Sequence, residues 1–230
     1  MRATGRGTRD HCASEHDVAR VGVARSDVEK KSLHDSQRDT PRVKRLRRAY
    51  VKQMADQPTK RLKFCDESGA HLGMTRLYGR AAPGQRVVEA TPDYSGPHYT
   101  MVSTLGWGGI LVPWVFEGAM TRQIFVTYVS QVLAPTLQAG DVFLMDNLSA
   151  HKAAEAKSVI EARGATLIFL PPYSSDFNPI ELCWSKVKAG LRQAKARTFT
   201  VLVDALAEAL RSVSEEDACG WFSHGGYAVH

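Results

Sequence analysis

The sequence predicts an α/β fold, a mixed sheet flanked by helices on both faces and preceded by a basic N-terminal arm. Three observations lead there. Between residues 61 and 118, extended apolar segments follow one another across Gly and Pro turns, as in an antiparallel meander. From residue 122 the apolar period lengthens to that of a helix, and strands then alternate with helices, which is the pattern of a parallel sheet. Charge divides the chain as well. Residues 1–65 hold 17 Lys and Arg against 8 Asp and Glu, whereas residues 66–230 hold 13 against 16.

Residues 1–25 mix Gly, Arg, Thr and Asp without an apolar period of 2 or 3.6, so they are expected to be disordered. Residues 26–60 read as a basic linking segment. Within it Val43, Leu46, Ala49, Tyr50 and Met54 recur at helical spacing and predict a short helix over about 41–55. The body, 61–230, begins with "RLKFCD" (61–66) as a strand. "MTRLYGRA" (74–81), "YTMVSTLGW" (99–107) and "GILVPWVFEG" (109–118) are expected to follow as further strands. Ile124, Phe125, Tyr128, Val129 and Val132 mark a helix ended by Pro135. "DVFLMD" (141–146) is a short buried strand, after which Ser149 can cap a helix running to Gly164. "TLIFLP" (166–171) makes one more strand, and helices follow from Pro179 to about Ala196 and from Thr200 to about Val213. The sequence contains no internal repeat.

Composition excludes several classes. With 230 residues, 43% of them hydrophobic, the chain can bury one sizeable core, and no run of about 18 apolar residues suggests a membrane span. Cys12, Cys65, Cys183 and Cys219 are widely and irregularly spaced, which supports neither a disulfide framework nor a structural zinc site. The basic N-terminus has no apolar segment behind it, so an ordinary secretory signal is not expected. A reducing, cytoplasmic setting follows from these readings.

Carboxylates at element ends are the candidates for chemistry. Asp146 follows "VFLM" and Asp66 follows "LKFC", and polar groups that do chemistry in open α/β sheets gather at the carboxyl ends of strands. Side by side, two such aspartates repel unless a cation lies between them. Glu181, in the first turn of the helix after "PPYSSDFNP", is available as a third acid. Three carboxylates without a His or Cys cluster favour magnesium or manganese over zinc. Each residue also has a purely local explanation. Asp66 and Asp146 can satisfy turn backbone with their side chains. Asn178, Pro179 and Glu181 resemble the start of a capping box. His151 can be a loop residue bonded to backbone, and the stripe Ile180, Trp184, Val187 and Leu191 is core packing. In "RVKRLRRAYVK", Arg42, Lys44, Arg45, Arg47 and Arg48 can lie along a nucleic-acid backbone or form a solvated helix face.

Taken in order, "FCDESG", "YGRAAPGQR", "FLMDNLSAHK" and "LPPYSSDFNPIELCWSKVK" resemble the catalytic domain of DDE transposases of the mariner-like superfamily, in its bacterial insertion-sequence branch. The resemblance runs from about residue 30 to the C-terminus, and 34 residues separate Asp146 from Glu181, as that superfamily requires. It implies a ribonuclease-H-like fold with Asp66, Asp146 and Glu181 as a metal-binding triad, and Asn147, His151 and Asn178 nearby as support. It further implies Mg2+ or Mn2+, as two ions, and cleavage and strand transfer of double-stranded DNA at transposon ends and target. A homodimer when active and a nucleoid-associated place in the cytoplasm are also expected, with no membrane partner and no small-molecule cofactor. One departure bears on function. Such transposases carry helix-turn-helix modules before the catalytic domain; here 65 residues precede Asp66, the first 25 or so show no such pattern, and "KKSLHDSQRDTPRVKRLRRAYVKQ" resembles the family's linking segment. The chain therefore reads as a transposase without its DNA-reading half. Two other classes share parts of this pattern, a non-enzymatic DNA-binding remnant and a different ribonuclease-H-like nuclease.

Overall fold

The structure is a computed structural model that describes residues 34–148 and 150–228. The disorder expected over 1–25 and the cap expected at Ser149 lie outside the described residues. His34–His230 form one compact unit. A five-stranded sheet runs through it, built from β1 (Leu62–His71), β2 (His98–Gly106), β3 (Gly109–Glu117), β4 (Val142–Met145) and β5 (Thr166–Phe169) in the order β3-β2-β1-β4-β5. β1 pairs antiparallel with β2 and parallel with β4, and β2–β3 and β4–β5 continue each half. The expected mixed sheet is thus present, with the change from antiparallel to parallel at β1. Pro113 is tolerated because β3 is an edge strand, where a missing N–H need not break a ladder.

Helices cover both faces. They are α1 (Pro41–Met54), α2 (Arg122–Thr127), α3 (Ala154–Ala162), α4 (Ile180–Ala194), α5 (Phe199–Arg211) and α6 (Glu215–His224). Strand alternation sorts the core into two layers. Cys65, Val102, Phe143 and Met145 pack with Phe125, Tyr128, Leu133 and Ile160 of the α2 and α3 side. Phe64, Met101, Leu105 and Leu144 pack with Ile180, Trp184, Leu191, Leu202 and Phe222 of α4, α5 and α6. Burying each such side chain contributes about 1.5–3 kcal/mol. Thr40 caps α1 by accepting from the Val43 N–H, with Pro41 at its first position. Of the five residues at helical spacing, Val43, Tyr50 and Met54 are buried, whereas Leu46 and Ala49 are exposed.

Four segments differ from the expectation. β1 does not stop at Asp66 but runs on to His71, because β2 is there to pair with it residue for residue. Residues 74–81 form no strand. Both edges of β1 are already occupied, and Leu77 and Tyr78 stand exposed in the loop between β1 and β2. The helix after β4 begins at Ala154, after a 3-10 turn over Ala150–Lys152. α6 was not anticipated. It is short and polar in sequence, and it is fixed by a capping box between Ser214 and Asp217 and by burial of Ala218 and Phe222. After Thr127, α2 widens into a π turn over Tyr128–Leu133 and tightens again over Ala134–Thr136, where Pro135 stops it as expected.

Candidate active site at the ends of the central strands

The parallel pairing of β1 with β4 ends at Cys65 opposite Met145, so Asp66 and Asp146 are the next residues on the two neighbouring strands. Alternation puts Asp66 on the face of Phe64, the face that α4 covers. Asp66 stays in the sheet opposite Ser103, whereas Asp146 leaves it. Glu181 projects from the first turn of α4, whose Ile180, Cys183 and Trp184 pack in the same layer as Phe64 and Leu144. Electrostatics tie the three together. Burial, with the negative charges of Glu181, Glu67 and Asp146, raises the Asp66 carboxyl to about 8 against an opposing backbone hydrogen bond. Burial also raises Glu181, and Asp146 adds to this while Lys188 opposes it.

Among the described residues, no three His, Cys, Asp or Glu side chains stand together as a closed ion site. The donor set nevertheless suits a hard divalent cation. It consists of carboxylate oxygens, and the Asp66 carboxyl is raised first by burial and then by the charges of Glu181, Glu67 and Asp146, whose repulsion such a cation would relieve. The three acids thus stand at element ends, Asp66 in β1, Asp146 just past β4 and Glu181 in the first turn of α4.

Asp146 is oriented by two bonds to one oxygen. Its Oδ1 accepts from the Leu148 N–H at 3.1 Å and meets His151 Nδ1 at 2.6 Å. The other imidazole nitrogen, Nε2, lies 2.7 Å from Glu67 Oε1. His151 is 1% exposed and rests against the Phe125 ring, 4.6 Å between centroids. Burial alone would lower its pKa, but hydrogen bonds to Asp146 and Glu67 and the charges of both raise it to about 10. The ring is thus an imidazolium between two carboxylates, and Asp146 Oδ2 has no hydrogen-bond partner among the described residues. Glu67 was missed in the sequence. It directly follows Asp66, and strand alternation sends it to the opposite face, where only the tertiary fold brings His151.

The capping-box explanation of Glu181 fails. Pro179 is the N-cap of α4 without a side-chain bond, and the Glu181 carboxylate has no hydrogen-bond partner among the described residues. Asn178 is buried, its Oδ1 has no partner among the described residues, and its carbonyl accepts from the Glu181 N–H at 3.1 Å. Asn147 is exposed beside Asp146. On α1, Arg42, Lys44, Arg45 and Arg48 are exposed, and Lys44 pairs with Asp39. Arg47 departs from this solvent-facing group. It turns inward, with its side chain 13% exposed and its guanidinium bonded to Ser174 and Asp176. No helix among the described residues is long and apolar enough to cross a membrane.

Comparison with known proteins places this geometry. Residues 61–203 match the model of the DDE superfamily endonuclease domain. No curated protein sequence matches the chain. Among solved structures, the fold is similar to Mos1 transposase in a pre-cleavage transpososome, at TM-score 0.65 and 15% identity over 90% of this chain and 64% of that one. It is similar as well to the mariner Mos1 paired-end complex with Mg, at TM-score 0.65 and 14% identity over 88% of this chain and 65% of that one. The isolated Mos1 catalytic domain matches at TM-score 0.54 and 11% identity, over 88% of this chain and 100% of that one. The chain thus spans less than two thirds of the transposase in those assemblies. The mixed five-stranded sheet flanked by helices matches the ribonuclease-H-like fold of the Mos1 catalytic domain. Because the family match covers all five strands and reaches into α5, this chain belongs to the DDE superfamily of endonucleases.

Proposed function

We propose that the chain is the catalytic part of a bacterial insertion-sequence transposase that cuts DNA and joins it to a target, with Asp66, Asp146 and Glu181 as its metal-holding triad. The observation that carries this reading is the coupling of the three acids. Two of them are the first residues past a parallel strand pair, the third lies in the first turn of α4, and burial together with the charges of Glu181, Glu67 and Asp146 raises the Asp66 carboxyl to about 8. Magnesium or manganese, as two ions, would be held by these carboxylates and would stabilise the attacking and leaving oxygens of a phosphodiester. The residues themselves bind and orient. Asp66 gives up its proton as it becomes a ligand. His151, itself held by Glu67, fixes Asp146 through Oδ1. Arg42, Arg45 and Arg48 contact phosphates and steer duplex DNA irrespective of sequence. Two copies working on paired DNA ends, in the nucleoid, complete the reading; the Mos1 structures contain such ends.

The test is manganese-dependent nicking of supercoiled DNA. Asp146→Asn keeps the Leu148 and His151 contacts within reach of its amide oxygen, so the fold persists while nicking is lost. Nicking at the wild-type rate by that variant would overturn the assignment.

A further inference from the structure

The loop between β5 and α4, which delivers Glu181, is gripped from outside the catalytic sheet. Arg47 of α1 donates to Ser174 Oγ at 2.6 Å and forks onto Asp176, with 2.9 Å to Oδ1 and 2.6 Å to Oδ2. The same guanidinium lies 4.0 Å over the Phe177 ring. Tyr50, one turn further along α1, stacks on Phe177 at 5.3 Å and meets the Tyr227 hydroxyl at 2.7 Å, and Tyr227 in turn donates to the Phe177 carbonyl at 2.6 Å. Arg38 adds a further bond to Asp176 at 3.1 Å. Every residue of the loop from Ser174 to Phe177 that bears a long or charged side chain is thus held by α1 or its lead-in.

This grip ends four residues before Glu181. Between them lie Asn178, Pro179 and Ile180, which pass the chain straight into α4: the Asn178 N–H donates to the Ser175 carbonyl, and the Asn178 carbonyl accepts from the Glu181 N–H. Tyr173, just before the loop, sits in the left-handed region at φ 55°, a conformation that an isolated loop would leave. The first turn of α4 has no side-chain cap of its own to fix where it begins. Ile180, Cys183 and Trp184 pack the first turn of α4 into the core, and the loop that α1 clamps leads directly into that turn.

We propose that Arg47 is a positioning residue for Glu181, through which the docking of α1 on the 174–177 loop sets the third carboxylate in the triad. The planar fork suits this task, since one group binds both oxygens of Asp176 and covers an aromatic face, which an ammonium cannot do. A face of α1 that reads in sequence as phosphate-binding therefore serves the active site at this one position. The proposal rests on the triad assigned above.

The experiment measures Mn2+ affinity calorimetrically on the full chain without DNA, and nicking rates over a range of DNA concentrations up to saturation, for Arg47→Ala, Arg47→Lys, Asp176→Asn, Glu181→Gln and the Arg47→Ala/Glu181→Gln double variant. Expected results are at least a tenfold drop in Mn2+ affinity and in kcat for Arg47→Ala and Asp176→Asn, an intermediate value for Arg47→Lys, and an unchanged KM for DNA. In the Glu181→Gln background, Arg47→Ala should cause no further loss of Mn2+ affinity, because the group it positions is already gone. Equal losses in both backgrounds would overturn the proposal and leave Arg47 a purely structural clamp. A raised KM with unchanged kcat would overturn it in favour of a phosphate contact. If Asp146→Asn still nicks DNA, it is the triad assignment that fails, a result distinct from either of these. Asp176→Asn preserves shape and keeps the test decisive if Arg47→Ala does not fold.

Discussion

Replacing His151 with asparagine removes the one cation between Glu67 and Asp146. The imidazole is 1% exposed and the Glu67 side chain 12%, so the carboxylate left behind is poorly hydrated. Breaking a buried ion pair by deleting one partner costs about 3–5 kcal/mol. The rise of the His151 pKa from 6.5 to about 10, at roughly 1.4 kcal/mol per pH unit, points to the same order. In a domain of this size that corresponds to a Tm about 10 °C lower. The pH dependence is the sharper signature. A histidine whose folded pKa exceeds its unfolded one stabilises fully below about 6.5, and that stabilisation is lost as pH rises through about 10. Wild-type unfolding free energy should therefore fall between pH 7 and pH 10 with a slope of up to about 1.4 kcal/mol per pH unit, and the variant should lack this component. Denaturant titrations at several pH values, on wild type, His151→Asn, Glu67→Gln and the double variant, measure it. The two single changes should couple by about 1–3 kcal/mol. Parallel pH profiles for wild type and His151→Asn, or additive single effects, would refute a shared imidazolium.

Other outcomes follow from the same geometry. Asp66 has a raised carboxyl pKa, so its ionisation costs stability as pH climbs from about 3.8 to about 8; Asp66→Asn should raise the metal-free Tm at pH 7, by on the order of 1–2 kcal/mol in stability, while abolishing Mn2+ binding. A lower Tm at neutral pH would contradict the repulsion argument. Glu181→Gln should change stability by less than about 1 kcal/mol, since no capping bond is lost, yet weaken Mn2+ binding in calorimetry. Arg42→Ala/Arg45→Ala/Arg48→Ala should weaken binding to all duplexes alike in anisotropy titrations and flatten the log–log salt slope by roughly 0.9 per lost phosphate contact. A variant that lost affinity for only one DNA sequence would point instead to base reading by α1.

Local pattern determined a good deal of this protein. The apolar runs of β2 to β5, the 3.6-residue period of α1, α4 and α5, and the strand-then-helix order suffice for a mixed sheet covered on both faces, because burial of one face of each element is a local requirement. The places of Asp146 at a strand end and Glu181 in a first helical turn were also readable, since both follow from turn and helix-start chemistry.

Tertiary structure decided what depends on partners distant in the chain. Whether Asp66 opens a turn or stays in a strand rests on β2, some 30 residues later, which extends the ladder to His71. Whether 74–81 becomes a strand rests on a free edge, and β1 has none. α6 exists because Phe222 finds the Phe64 ring, in an edge contact at 5.4 Å, and not because its own sequence is strongly helical. The roles of charged side chains were least visible of all. Glu67 and Arg47 look in sequence like a spare acid and one more basic residue, and each is defined by a partner 84 or 129 residues away. Charge pairing acts over a few ångströms in space, and no period along a chain records which charges the fold will bring that close.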